Sequence, residues 1–199
     1  MDTTEFEYYI VDANDNGQYP LLVVTENEDY EFEEEMIENP EPMTYVLGEP
    51  VPKKPVMADY HFSERSVISK KIYDALVPKN IEGIQFIPAI ITGKKDEIYE
   101  DYFYFHIYNY LSVMDKEKSI YKWMKTANVA NPIEKLVLNQ KALEEIPLEK
   151  RLIFRLREND TFELFHKSIV DVIMATEPKG IQFTKVENWN ISTPFKSNK

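Results

Sequence analysis

An internal repeat is the feature of this sequence that most constrains its fold. When the chain is shifted by 97 residues, residues 67–86 align with residues 164–183 without a gap, and both segments contain the run Gly-Ile-Gln-Phe. The apolar positions of a helical pattern superpose in the same register. Gly83 and Gly180 stand where each segment passes from a predicted helix to a predicted strand. This position favours a residue that is able to adopt a positive φ. The repeat therefore predicts two similar helix-loop-strand units.

Two copies are too few for a solenoid, so we expect both helices to pack on one sheet. The predicted fold class is α+β, with a single mixed or mainly antiparallel sheet, the two helix-loop-strand units, and an acidic N-terminal hairpin and arm. Phe86 and Phe183 are expected at matching buried positions, as are Ile72 and Ile169.

The remaining elements follow from hydrophobic periodicity and from turn residues. Residues 5–12 and 19–25 predict a hairpin, and five prolines within residues 40–55 predict an extended arm. We divide the chain into an N-terminal hairpin and Pro-rich arm, residues 1–55, packed on an α+β domain, residues 56–199. Helices are predicted over residues 66–77 and 161–175, and strands over residues 83–91, 102–113, 133–138, 152–157 and 180–186.

The strand predicted over residues 102–113 alternates for longer than most strands do. One face is apolar and belongs to a core, with Phe103, Phe105, Ile107, Leu111 and Val113. The other face carries Tyr102, Tyr104, His106, Tyr108 and Tyr110. It is either a sheet surface covered by a helix or by the N-terminal arm, or an open wall. An open wall would suit a hydrolase or a carbohydrate-binding module, because aromatic rows stack on sugars.

The charge of the chain is divided unevenly along its length. Residues 1–50 contain fifteen Asp or Glu and no Lys or Arg, whereas residues 51–199 contain twenty acids and all twenty-three bases. Binding to nucleic acid or to an anionic membrane requires a positive face, so this balance argues against both. A protein partner with a basic surface is favoured instead.

Most chemical signatures are missing from the sequence. There are no cysteines, the five glycines form no phosphate-binding loop, and the three histidines fall in no metal-binding spacing. Residues 12–17 fit the first half of an EF-hand calcium loop, which suggests a calcium module built on Asp12, Asn14, Asn16 and Glu26, but a hairpin turn explains the same residues. We expect no catalytic residue, no cofactor and no metal. The start of the chain has no signal-peptide pattern, which predicts a cytoplasmic protein.

Several segments together resemble a bacterial family. They are residues 69–76, 83–88, 104–115, Ser119, residues 152–156 and residues 180–183. Across roughly residues 56–189 the chain resembles the immunity protein eleven family of polymorphic toxin systems, with the acidic arm largely outside the matching region. The resemblance implies a protein that is made beside a secreted toxin, binds that toxin and so protects the producing cell. It implies no catalytic residue.

The resemblance and the separated charge lead to one expected function, which is non-covalent neutralisation of a cognate toxin with a basic surface. The arm residues expected to contact that toxin are Glu31, Glu33, Glu34, Glu35 and Glu38, with Tyr30 and Phe32 as aromatic anchors. A solvated arm without a binding role is the alternative, and a homodimer that buries the tyrosine face is left open.

Overall fold

The computed structural model describes residues 3–14, 17–32, 34–62 and 66–193, except for the side chains of residues 3, 4, 31 and 32. Within these ranges the strands and α-helices are β1 (Tyr8–Ala13), β2 (Leu22–Glu26), β3 (Met43–Leu47), β4 (Tyr60–Phe62), β5 (Ser66–Ser69), α1 (Lys70–Leu76), β6 (Ile84–Thr92), β7 (Ile98–Ile107), β8 (Tyr110–Leu111), β9 (Ile120–Met124), β10 (Val129–Lys135), α2 (Gln140–Glu144), β11 (Ile153–Leu156), β12 (Asn159–His166), α3 (Lys167–Met174) and β13 (Ile181–Lys185). The α+β class is confirmed.

The strands form several sheets, so the prediction of a single sheet is wrong. A six-stranded sheet has the order β2-β3-β6-β7-β5-β4, and a five-stranded sheet has the order β13-β1-β12-β11-β8. Strands β9 and β10 pair with each other in a separate two-stranded sheet. Each copy of the repeat contributes to a different large sheet, which explains why one sheet does not accommodate both.

The two repeat units share one topology. In the first unit α1 connects β5 to β6, and β7 lies between these strands, antiparallel to both. In the second unit α3 connects β12 to β13, and β1 lies between them, again antiparallel to both. Each unit is therefore a β-α-β crossover with one strand inserted in the gap. The predicted helix-loop-strand repeat is present, with a preceding strand added to each copy.

The loops after the two helices also match. Gly83 and Gly180 have φ values of +77° and +82°, and three residues earlier Asn80 and Glu177 are also left-handed. A Cβ atom on Gly83 would lie 2.4 Å from Asn109 Cβ, and one on Gly180 would lie 2.5 Å from Ala58 Cβ. Glycine is needed at both positions for the backbone angle and for the close approach of a neighbouring segment.

Both repeat helices begin later than predicted. Residues 66–69 and 161–166, which were predicted as helix, are strand. Ser69 and His166 are the equivalent N-cap residues, and the His166 side chain accepts a hydrogen bond from Ser168 N. All four residues of β5 are buried. A strand buried on both faces has apolar residues that also fit a helical spacing, so periodicity alone does not separate the two.

The predicted N-terminal hairpin is wrong as well. β1 pairs with β12 and β13 in one sheet, whereas β2 pairs with β3 in the other. The turn residues between them belong to a crossing from one sheet to the other. The domain boundary at residue 55 stays a prediction, although β1 is a central strand of the second unit.

Three apolar clusters alternate with the two large sheets. The central cluster contains side chains from both sheets and from both repeat helices, including Ile72 at 0% exposure and Ile169 at 3%, which confirms their predicted burial. Phe86 and Phe183 both pack against this cluster but are only half-buried, so the prediction of full burial is wrong for them. A second cluster lies under β9, β10 and α2, and a third lies between the six-stranded sheet and the chain around residues 22–47.

A buried carboxylate joins the two large sheets. Glu163 of β12 accepts a hydrogen bond from Arg155 Nη2 of β11 at 2.7 Å. Its other oxygen accepts from Tyr60 Oη of β4 at 2.6 Å and from Ser66 Oγ of β5 at 2.9 Å. All four residues are buried. The hydrogen bonds from Tyr60 and Ser66 hold the two sheets together, because Glu163 Oε2 loses both donors if the sheets separate. The buried ion pair with Arg155 lies within the five-stranded sheet and joins β11 to β12.

Candidate functional site

The acidic segment of the sequence is a long loop between two neighbouring strands. Residues 27–42, called the arm from here on, connect β2 to β3, and Glu28–Phe32 form a 3-10 turn within it. Asn27 and Asn39 have left-handed backbone angles, which asparagine tolerates better than most residues. Asn27 Nδ2 donates to Pro42 O at 2.9 Å and so closes the base of the loop. The segment predicted as an extended Pro-rich arm, residues 40–55, begins in this loop and continues as strand β3, which pairs with β2 and β6.

Hydrogen bonds attach the arm backbone to the six-stranded sheet. Gln85 of β6 makes two of them with one residue: its Oε1 accepts from Ile37 N at 3.0 Å, and its Nε2 donates to Ile37 O at 2.9 Å. His106 Nε2 lies 2.7 Å from Glu35 O, so the ring nitrogen carries the proton and donates. Tyr104 Oη donates to Tyr30 O at 3.2 Å. The backbone of the arm faces the sheet along this stretch.

The side chains of the arm divide between the sheet and the solvent. Tyr30 and Ile37 are half-buried and pack against the cluster that contains Tyr104. The described carboxylates are exposed, namely Glu28, Asp29, Glu34, Glu35, Glu38 and Glu41. Among the described residues, Glu34 forms an ion pair with Arg157 at 2.6 Å, and no cation lies within 4.0 Å of Glu35 or Glu38. The arm therefore presents a row of carboxylates on a supported backbone.

The predicted contact residues are only partly described. Glu34, Glu35 and Glu38 are exposed as a contact surface requires, and Tyr30 is held within the protein because its hydroxyl also accepts from Glu41 N at 3.2 Å. Glu33 and the side chains of Glu31 and Phe32 lie outside the described residues. Whether any of the seven contacts a partner stays a prediction.

The arm covers Tyr104 and His106 on the tyrosine and histidine face of the strand over residues 102–110, whereas Tyr102 donates to Ala58 O at 3.0 Å, outside the arm. Tyr102, Tyr104 and His106 are 8%, 1% and 2% exposed. The strand itself ends at Ile107, where the chain crosses so that Tyr110 pairs with Arg155 in the other sheet. The opposite face of β7 contributes to the central cluster, as predicted. Tyr102, Tyr104 and His106 are therefore buried, while Tyr108 and Tyr110 are half-buried, so the five residues do not form the continuous open wall on which a sugar would stack.

The candidate calcium loop is not assembled by the described residues. Asp12 lies in β1 of the five-stranded sheet and Glu26 lies in β2 of the six-stranded sheet, while Asp15 and Asn16 lie outside the described residues. Burial raises the pKa of the Asp12 carboxyl to about 6, against a smaller effect of the Trp189 indole. In the described part of the chain no three His, Asp or Glu side chains are placed to hold a metal ion together.

One surface cleft was not anticipated by the sequence. It has a volume of about 940 Å³ and lies between residues 114–118 and residues 137–144, with Lys116, Lys118, Lys141, Glu117 and Glu144 in its wall. The ion pair between Lys118 and Asp115 lowers the pKa of that carboxyl through a hydrogen bond, with burial opposing it. The wall carries mixed, mostly exposed charges, which is typical of a surface depression and not of a catalytic pocket.

A family model decides what kind of protein has this geometry. The model described as "Immunity protein family (Imm11)" matches residues 7–188. The chain belongs to the Imm11 immunity protein family. The match begins at residue 7, so the expectation that the acidic arm lies outside the Imm11 region is wrong. Strand β1 completes the second unit, which explains why the family region includes the N-terminal part of the chain.

No curated protein matches this Imm11 chain significantly. Within the described ranges, none of the helices combines the length and apolar character required to cross a bilayer.

Proposed function

We propose that this Imm11 protein is a non-catalytic cytoplasmic immunity protein that binds the cognate toxin of a polymorphic toxin system and holds it inactive. The family supports an immunity role. The single observation that carries the proposed mode of binding is the arm, whose backbone is attached to the sheet while its carboxylates face the solvent.

The attachment of the arm gives it the properties of a pre-organised docking surface. A loop that is already ordered loses less conformational entropy on binding than a mobile tail does. Glu35 and Glu38 face the solvent, and no described cation lies within 4.0 Å of either. The ion pair of Glu34 with Arg157 is half exposed, at 57% and 47%, and such pairs contribute little, so a stronger partner can replace it.

The charge distribution indicates the chemistry of the partner surface. Fifteen carboxylates and no basic residue occur within residues 1–50. A basic toxin surface meets this end of the chain with complementary potential, which accelerates association and weakens as salt screens the charges. Toxins that act on nucleic acid need such basic surfaces for their substrate. An acidic loop bound there blocks the substrate directly.

The carbohydrate-binding or hydrolase alternative receives no support from the geometry. It depends on access to Tyr102, Tyr104, His106 and Tyr108, and the first three are at most 8% exposed. The same contacts remove the tyrosine face as a ready dimer surface.

The test is binding to the purified toxin encoded beside the gene for this chain, measured by calorimetry and stopped-flow mixing. Charge reversal in E35K/E38K is compared with E145K/E149K, a variant with the same change in net charge at exposed residues around α2. We expect the arm variant alone to associate more slowly and with a weaker salt dependence. Equal effects of both variants on association would show that net charge, and not the arm, causes the change. The absence of toxin binding by the wild-type protein would refute the proposed function.

A further inference from the structure

The two-stranded sheet of β9 and β10, called the ribbon from here on, exposes apolar side chains. Ile120, Trp123 and Met124 are 53%, 38% and 41% exposed. By strand alternation Ile120 and Met124 share one face of β9, and Trp123 lies on the other face, where its ring centre is 6.4 Å from that of Tyr121. The ribbon thus exposes large apolar side chains on both faces, which is an unusual concentration for a surface that only contacts water. Trp and Met are also enriched where proteins contact each other.

The ribbon is held firmly from its inner side. Tyr121 of β9 and Ile133 of β10 are register partners, and both pack on the apolar cluster that contains Leu143 and Leu156. Ala130 is fixed through both backbone groups, because its N–H donates to Glu158 O at 2.8 Å and its carbonyl accepts from Asn159 Nδ2 at 2.8 Å. The exposed side chains are thus carried by an ordered support, as binding anchors are.

The ribbon and the residues that precede it carry a small excess of lysine, with five lysines and three carboxylates over residues 115–135. Residues 116–125 contain four lysines and one glutamate. Lys116 Nζ lies 5.3 Å from the centre of the Trp123 ring, so a cation covers one face of the exposed indole. A ribbon with apolar side chains on both faces and lysines beside them suits a partner surface that has an apolar depression bordered by carboxylates.

The turn between β11 and β12 connects the ribbon to the arm. Arg157 in this turn pairs with Glu34 of the arm at 2.6 Å. The next residue, Glu158, holds Ala130 of the ribbon through its carbonyl. Arg157 also stacks on the Tyr110 ring at 4.4 Å, which keeps the turn on the sheet. The acidic arm and the ribbon therefore both contact this one turn.

We infer that the ribbon is the second half of the toxin-binding surface, and that the toxin presents a basic patch for the arm beside an apolar depression bordered by carboxylates for Ile120, Trp123 and Met124. This inference rests on the proposed function. A two-part surface of opposite charges also fixes the orientation of the toxin, because a basic patch alone meets the arm in many orientations.

The experiment uses the same purified toxin and two methionine variants with matched exposure. Met124 of the ribbon is 41% exposed and Met174 at the end of α3 is 44% exposed. We expect M124S combined with W123A to weaken toxin binding ~10-fold or more, mainly through faster dissociation, and M174S to change it less than ~2-fold. Thermal unfolding of each variant separates lost contacts from lost folding.

The two tryptophans provide an independent readout. Trp123 is exposed and Trp189 is 7% exposed, so a 5-fluorotryptophan-labelled protein gives one solvent-facing and one buried ¹⁹F signal, assigned with W123F. Addition of toxin should shift the Trp123 signal and leave the Trp189 signal in place.

The outcomes separate the inference from the proposed function. Toxin binding that is sensitive to E35K/E38K but unaffected by W123A/M124S, with an unmoved Trp123 signal, overturns the ribbon inference and leaves the proposed function standing. A toxin that does not bind the wild-type protein overturns both. Two other occupants of the ribbon, nucleic acid and a second copy of the chain, are checked without toxin. Fluorescein-labelled single-stranded DNA tests the first, and sedimentation tests the second. Binding of the DNA or dimerisation, if either depends on Trp123, would also overturn the inference.

Discussion

Removal of the Gln85 side chain tests whether the arm is a separately attached unit. In Q85A the arm loses both hydrogen bonds to Ile37, at 3.0 Å and 2.9 Å, and keeps those from His106 and Tyr104. Neutral hydrogen bonds contribute ~0.5 to 1.5 kcal/mol each, so the loss favours local opening of the arm by about 1 to 3 kcal/mol. This corresponds to a ~5- to 150-fold larger open population.

Native-state hydrogen exchange measures that population at the residue concerned. The Ile37 amide donates to Gln85, so its exchange should accelerate ~5- to 150-fold in Q85A if the arm opens locally. The Arg155 amide, which donates to Asn109 O at 2.8 Å within the other sheet, is the reference and should change far less. Toxin association should slow in the same variant, because the arm must be ordered again on binding. An unchanged Ile37 amide, or equal acceleration at Ile37 and Arg155, would refute a separately attached arm.

Three further predictions concern stability. E163Q leaves the buried Arg155 without its anion and should lower the free energy of unfolding by ~3 to 5 kcal/mol in urea titrations; a loss below ~1 kcal/mol would contradict the bridging role. Burial lowers the pKa of His61 from 6.5 to about 4, so the unfolded state binds the proton at a higher pH than the folded state does. The contribution of His61 to the free energy of unfolding should be complete above pH 6.5 and fall by ~3 kcal/mol as the pH drops to 4. H61N should flatten this pH dependence in denaturant melts at stepped pH. Burial raises the pKa of Asp12 to about 6, so ionisation of this carboxyl destabilises the folded state. D12N should therefore raise the melting temperature at pH 8. The increase should shrink below pH 6 and be absent near pH 4, where Asp12 is protonated in the folded and the unfolded state alike.

The repeat could be predicted from the sequence because its signals are local. Gly83 and Gly180 are needed at a backbone angle that few other residues adopt, and Ile72 and Ile169 follow a helical spacing that reaches the core. The number of sheets was not predictable in the same way. In the first unit the inserted strand β7 follows β6 after a short turn, but in the second unit it is β1, from the distant N-terminal part of the chain, and pairing over that distance leaves no pattern in the strand itself.

At the candidate site, too, the sequence indicated some features of the arm and the ribbon and not others. The negative charge near Glu35 was evident from composition, whereas its attachment depends on Gln85 and His106, which are dozens of residues away. The ribbon was missed because Trp123 and Met124 read as ordinary apolar residues until the fold leaves them on the surface. Sequence patterns indicate which residues are apolar, but only the packing decides which of them remain exposed.

Growth rescue is the measurement that tests the central claim most directly. The toxin encoded beside this gene is expressed from an inducible promoter in bacteria that also express this chain, and survival and co-purification are recorded together. The wild-type protein and E145K/E149K should restore growth and co-purify with the toxin, and E35K/E38K should rescue less although it is equally folded. Failure of the folded wild-type protein both to restore growth and to co-purify would contradict the assignment of toxin neutralisation to this chain.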